Sequence, residues 1–181
     1  MKTSLRSLCA FLTLAVALLT TSAGAQQQLD FTKHAFFKHL IGEWRAKGDL
    51  KGADGNITTL KEEWKGSVTG EGAFVIEGKR ELNKDMQDYR WTICATATSG
   101  LFEVTYFVSA NGGQTLRFEA SVSEADLTME LSAPLGEGTL KITDSFPGSE
   151  RDTLLSKVNL TDGGGKTTLS GTITNKRVKK Q

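Results

Sequence analysis

The chain has 181 residues with 22 basic and 21 acidic side chains, a formal net charge of +1. That length suits one domain with a sizeable core. Charges of both signs are interspersed along it, which excludes the basic footprint of a nucleic-acid binder. At the start, Lys2 and Arg6 precede an apolar run from Cys9 to Leu19, and Ala23-Gly24-Ala25 follows. A basic region, an apolar run too short to span a bilayer and an A-x-A site predict a secretory signal peptide over 1–25. Cleavage after Ala25 leaves 156 of the 181 residues, starting at Gln26, with 20 basic against 21 acidic side chains. The expected location is the periplasm or the outside of the cell, with no stable membrane span after cleavage. Cys9 lies at the front of the apolar run with Leu8, not a small residue, directly before it, so lipid attachment is not expected there. Cys94 is then the only cysteine, which excludes an intramolecular disulfide. Its strand-like surroundings predict a packed, inert thiol.

Residues 26–42 read as a frayed end and a short helix. Asp30 is placed to cap a helix from Phe31 to about Ile41, and Gly42 to end it. Phe36 with Leu40 and Phe37 with Ile41 share faces at the i, i+4 spacing, so the helix must dock an apolar face. From Glu43 the period changes to two, and Trp44, Ala46, Gly48 and Leu50 alternate with charged residues. Strands are predicted over 43–50, 57–69, 74–82, 89–98, 101–110, 114–122, 127–133, 139–146, 151–160 and 166–178, with 179–181 a tail. Asn83 to Asp88 reads as a polar loop and Ser99-Gly100 as a two-residue hairpin.

About ten strands with short turns and no room for crossover helices must pair antiparallel through hairpins. An open sheet of that size leaves two unpaired edges, and closure removes them. The predicted fold is therefore all-β, an up-and-down antiparallel barrel over 43–178 with a short N-terminal helix closing one end. Gly48, Gly78 and Gly171 fall inside strands, where a closed barrel needs sharp bends or close backbone approach.

Gly42-Glu43-Trp44, at the start of the first strand, resembles the G-x-W signature of lipocalins and the wider calycin group. That resemblance implies that Trp44 packs across the closed end with a basic residue of the last strand, here Arg177, over its ring. Such stacking contributes about 0.5 to 2 kcal/mol. The longer stretch from Phe36 to Arg45 resembles a secreted bacterial lipocalin-like family, domain of unknown function 1579. It implies a β-barrel and no agreed activity. The nitrobindin-like haem proteins open with a similar Gly-x-Trp, and their iron is held by a histidine late in the chain. This chain has only His34 and His39, both before the first strand and five residues apart, a poor metal pair. Haem is therefore not expected, and no cofactor or metal is predicted.

Strand parity selects the candidate interior. Glu62 lies between Leu60 and Trp64, Arg80 follows Ile76 on the Phe74 face, and Asp144 sits between Ile142 and Phe146. Buried charges need partners, and Glu62 with Arg80, on neighbouring strands, is the natural pair. Asn175 follows Ile173, and Tyr106 brings a hydroxyl among apolar walls. The candidate cavity residues are Glu62, Trp64, Phe74, Arg80, Trp91, Phe102, Tyr106, Phe118 and Asp144, with Gly42, Trp44 and Arg177 as the barrel-end signature. A few convergent polar groups in an apolar cavity orient a small ligand. The expected function is non-catalytic binding of a small, largely apolar ligand. A structural or interaction barrel with a filled core is the alternative. A cyclase- or isomerase-type barrel enzyme is a weaker one, because no nucleophile motif or metal-ligand cluster appears in the sequence.

Overall fold

The computed structural model describes residues 29–179; the predicted signal peptide lies outside them. Ten strands follow in chain order: β1 (Gly42–Gly52), β2 (Ile57–Val68), β3 (Phe74–Leu82), β4 (Asp85–Ala95), β5 (Leu101–Val108), β6 (Gln114–Ser123), β7 (Thr128–Leu135), β8 (Gly138–Ser145), β9 (Thr153–Thr161) and β10 (Thr167–Arg177). Each pairs antiparallel with the next, and β1 pairs antiparallel with β10, closing the barrel. Closure leaves no edge strand with unpaired backbone groups. Side chains alternate inward and outward, as β5 shows with Phe102, Val104, Tyr106 and Val108 buried between exposed neighbours.

The expected helix over Phe31 to Ile41 is not formed. Residues 31–36 are turns, and a single 3-10 turn spans Phe37–His39. The reason is geometric. Phe31, Phe36, Phe37 and Leu40 are all fully buried, yet at about 100° per residue a helix sets Phe31 and Leu40 on opposite faces. Only irregular turns send all four into the barrel mouth. Asp30 still caps the segment, with its Oδ1 accepting from the Thr32 amide at 3.0 Å. Edge-to-face contacts of Phe37 with Phe31 (4.9 Å) and Phe102 (5.0 Å), and of Phe36 with Phe146 (5.4 Å), make this segment a solid aromatic plug.

Three further expectations are corrected. The Asn83–Asp88 loop is a two-residue turn, with Asn83 and Lys84 both at positive φ (51° and 78°) and β4 already begun at Asp85. That is the backbone a tight hairpin requires, whatever the polarity around it. The Ser99-Gly100 hairpin is a longer connection over 96–100, held by the Thr96 hydroxyl donating to the carbonyls of Thr98 and Leu101. Cys94 is exposed, because it alternates out of phase with Tyr89, Trp91 and Ile93 and so faces the outer wall.

Gly42 opens β1 at φ +119°, a conformation that favours glycine. Beyond it, the Trp44 indole N–H donates to Leu40 O at 3.1 Å. The ring is stacked on Trp64 at 5.1 Å on one side, and the Arg177 guanidinium lies 4.5 Å from its centroid. Arg177 also donates to Ile41 O at 2.7 Å and to His39 O, tying the last strand to the plug. Gly78, in register with Trp64, leaves room for it: a Cβ there would come within 2.7 Å of the Trp64 Cβ.

Candidate functional site

Above this floor the barrel is hollow. A chamber of about 240 Å³ runs through its interior. Leu50, Leu60, Ile76, Trp91, Phe118 and Leu140 are among its apolar walls. One side is polar, and the strand register explains why. Ala46 of β1 sits between Asn175 of β10 and Glu62 of β2, and its small side chain leaves space for both. Glu62 pairs in turn with Arg80 of β3, while Asp144 of β8 stands opposite Ser156 of β9.

These groups form two connected sets. In the first, the Trp64 indole N–H donates to Asn175 Oδ1 at 2.9 Å. The Asn175 amide donates to Leu154 O and Ser156 Oγ, each at 3.2 Å. In the second, Arg80 Nε stands 3.9 Å from Glu62 Oε1, an ion-pair distance too long for a hydrogen bond. The Arg80 guanidinium lies over the rings of Tyr89 (5.0 Å) and Tyr106 (5.2 Å), and the Tyr89 hydroxyl bonds Glu62.

Burial pushes the Glu62 carboxyl up, against the Arg80 charge and the Tyr89 hydroxyl, which pull it down. Burial, followed by the charge of Glu62, pushes the Tyr89 hydroxyl up. Asp144 is pushed up to about 6 by burial, with the Ser156 hydroxyl opposing the rise and the Glu62 charge adding to it. Two polar atoms facing this interior, Arg80 Nε and Asp144 Oδ1, are shielded from solvent and have no hydrogen-bond partner.

Of the residues selected from sequence, Glu62, Trp64, Arg80, Trp91, Tyr106, Phe118 and Asp144 line this chamber. Phe74 and Phe102 do not: both face inward at the plugged end, 5.2 and 5.0 Å from Phe37. Sequence reasoning missed Tyr89 and Ser156 as chamber residues, although each falls in phase with inward neighbours, Trp91 and Leu154. Two broader depressions, of about 610 and 690 Å³, lie on the outer wall. Exposed side chains such as Glu103, Glu119, Lys61 and Lys79 line them, so they enclose no apolar interior. The chamber, though smaller, is where buried polar groups converge. Among the described residues no group of three or more His, Cys, Asp and Glu converges as metal ligands, and no helix is long and apolar enough to cross a membrane.

The fold is a closed antiparallel ten-strand barrel with a G-x-W start and a plugged end. Solved structures agree. An S-type phycobiliprotein lyase, CPES, from Guillardia theta superposes with a TM-score of 0.60 at 11% identity, over 81% of this chain and 92% of that one. Rv2717c from M. tuberculosis gives 0.54 at 15% identity, over 78% and 94%. A DUF3598-family protein of unknown function from Nostoc punctiforme gives 0.51 at 12% identity over 78% of this chain, which spans only 48% of that protein. At these identities the likeness is one of fold. No family model and no curated protein matches the sequence.

Proposed function

We propose that this chain is an exported lipocalin-like carrier that encloses a small, largely apolar ligand without acting on it chemically. The observation that carries the reading is the chamber of about 240 Å³, apolar on most sides with one buried polar cluster. A filled structural barrel would leave no such space. At about 30 Å³ per water the chamber equals roughly eight waters, which limits the enclosed ligand to a compact molecule. Export rests on Lys2, Arg6, the apolar run and Ala23-Gly24-Ala25. Membership of the secreted family, domain of unknown function 1579, rests on the Phe36 to Arg45 stretch.

Native mass spectrometry of the protein purified from its source tests the carrier reading. We expect a small molecule that is released on denaturation, and bare protein from several growth conditions would overturn it. N-terminal sequencing of the exported fraction is expected to start at Gln26. A second reading has one observation in its favour. Asp144, raised to about 6, has the acid–base character that a cyclase or isomerase needs for proton transfer. The two separate on turnover, since a carrier returns the bound compound unchanged.

A further inference from the structure

The buried charges of the chamber do not balance. Arg80 and Glu62 answer one another, and Arg80 is further settled over Tyr89 and Tyr106. Asp144 has no such counterpart. It projects from β8 between Met129 of β7 and Ser156 of β9, and the charge that bears on it is that of Glu62, of like sign. Ser156 serves its carboxyl with one hydroxyl, but Oδ1 is shielded from solvent and unpartnered. A buried carboxylate oxygen without a donor is costly, and the cost ends when a cation or donor arrives.

Each class of ligand head meets this arrangement differently. A carboxylate could meet the unpartnered Arg80 Nε, but it would bring a third negative charge beside Glu62 and Asp144 where only one positive charge stands. An alcohol would donate one hydrogen bond and leave the charge unanswered. A protonated amine supplies both donor and charge, and aromatic walls favour a cation beside them. We propose that the chamber selects small primary amines with a cyclic or aromatic body, the ammonium taking Asp144 Oδ1 and the body lying against Trp91, Tyr106 and Phe118. This rests on the carrier reading above and narrows it to a ligand class.

Four probes of similar size, benzylamine, benzyl alcohol, benzoate and toluene, are titrated into the full protein at neutral pH. Binding is read from tryptophan fluorescence, since Trp64 and Trp91 line the chamber. Benzylamine is expected to bind about tenfold or more tightly than the alcohol or benzoate, as a charge-assisted hydrogen bond replaces a neutral one or a repulsion. Asp144→Asn is expected to bring the amine-to-alcohol ratio to about one. In the unmodified protein the same preference is expected to fade as pH falls through about 6, where Asp144 takes up its proton beside Glu62, Arg80, Tyr89 and Ser156. That second measurement does not depend on the variant folding. Alcohol, toluene or benzoate binding as tightly as the amine would overturn the ligand class and leave the carrier reading standing. No binding by any of the four would overturn both.

Discussion

The two halves of the barrel interior are built by one alternation and end in opposite states. At the floor, Trp44 is held between Trp64 and Arg177, and its indole N–H and the Arg177 guanidinium both find carbonyl partners in the plug. In the chamber, Arg80 Nε and Asp144 Oδ1 find none. Trp64 belongs to both halves, stacked on Trp44 while its N–H donates to Asn175. The difference assigns them different work. The floor is solid and its polar groups are satisfied, whereas the hollow keeps unmet polar groups that a ligand of the proposed class would satisfy.

The largest break in that contrast comes from hollowing the floor. Trp44→Ala is expected to cost about 3 to 5 kcal/mol in urea unfolding, as a core truncation with a cavity left behind. Unchanged stability would mean that the floor does not carry the fold.

The chamber is expected to answer pH with the opposite sign from the plug. The folded pKa of Asp144, about 6, lies above its ordinary 3.8, so its contribution is complete below the unfolded value and is lost as pH rises through about 6. That loss is about 3 kcal/mol. Glu62 is raised as well and acts in the same direction. His34, in the plug, is lowered by burial, so its contribution is present above its ordinary 6.5 and is lost as pH falls through the lower folded value. Urea unfolding across that range should show Asp144→Asn more stable than the parent above pH 6, with the Asp144 part of the profile gone. Amide protection over residues 31–40, after correction for the intrinsic fall of exchange rate in acid, should drop on acidification as His34 gains a proton and the Phe36 N–H loses its Nδ1 acceptor.

Smaller effects sharpen the boundary. Arg177→Met keeps an unbranched side chain over Trp44 but loses the donors to Ile41 O and His39 O, so about 2 kcal/mol is expected to go. The loss should appear first as faster proteolysis of the plug. Cys94→Ser, on the outer wall, is expected to move stability by no more than about 0.5 kcal/mol. The native thiol should react at once with a thiol reagent; slow reaction would place Cys94 inside.

Much of the barrel was legible because period-two alternation recurs in strand after strand from Trp44 to Arg177, with a register shift at Thr167/Leu169, and the turns are short. Parity also tells inside from outside, which is why Glu62, Arg80 and Asp144 could be picked as inward charges. Parity does not tell height along the barrel. Phe74 and Phe102 are inward like Trp91 and Phe118, yet they meet the plug, and Tyr89 and Ser156 sit at chamber level without any local mark of it. The plug itself was misread because the Phe36–Leu40 and Phe37–Ile41 spacings mimic a helix face. What decides its shape is the barrel mouth, which lies far away in sequence.

The most direct measurement is a crystal structure of the protein soaked with benzylamine. Ligand density is expected inside the chamber, with the amine nitrogen at hydrogen-bond distance from Asp144 Oδ1 and the floor around Trp44 unchanged. A chamber filled by its own side chains, or amine bound only on the outer wall, would contradict it.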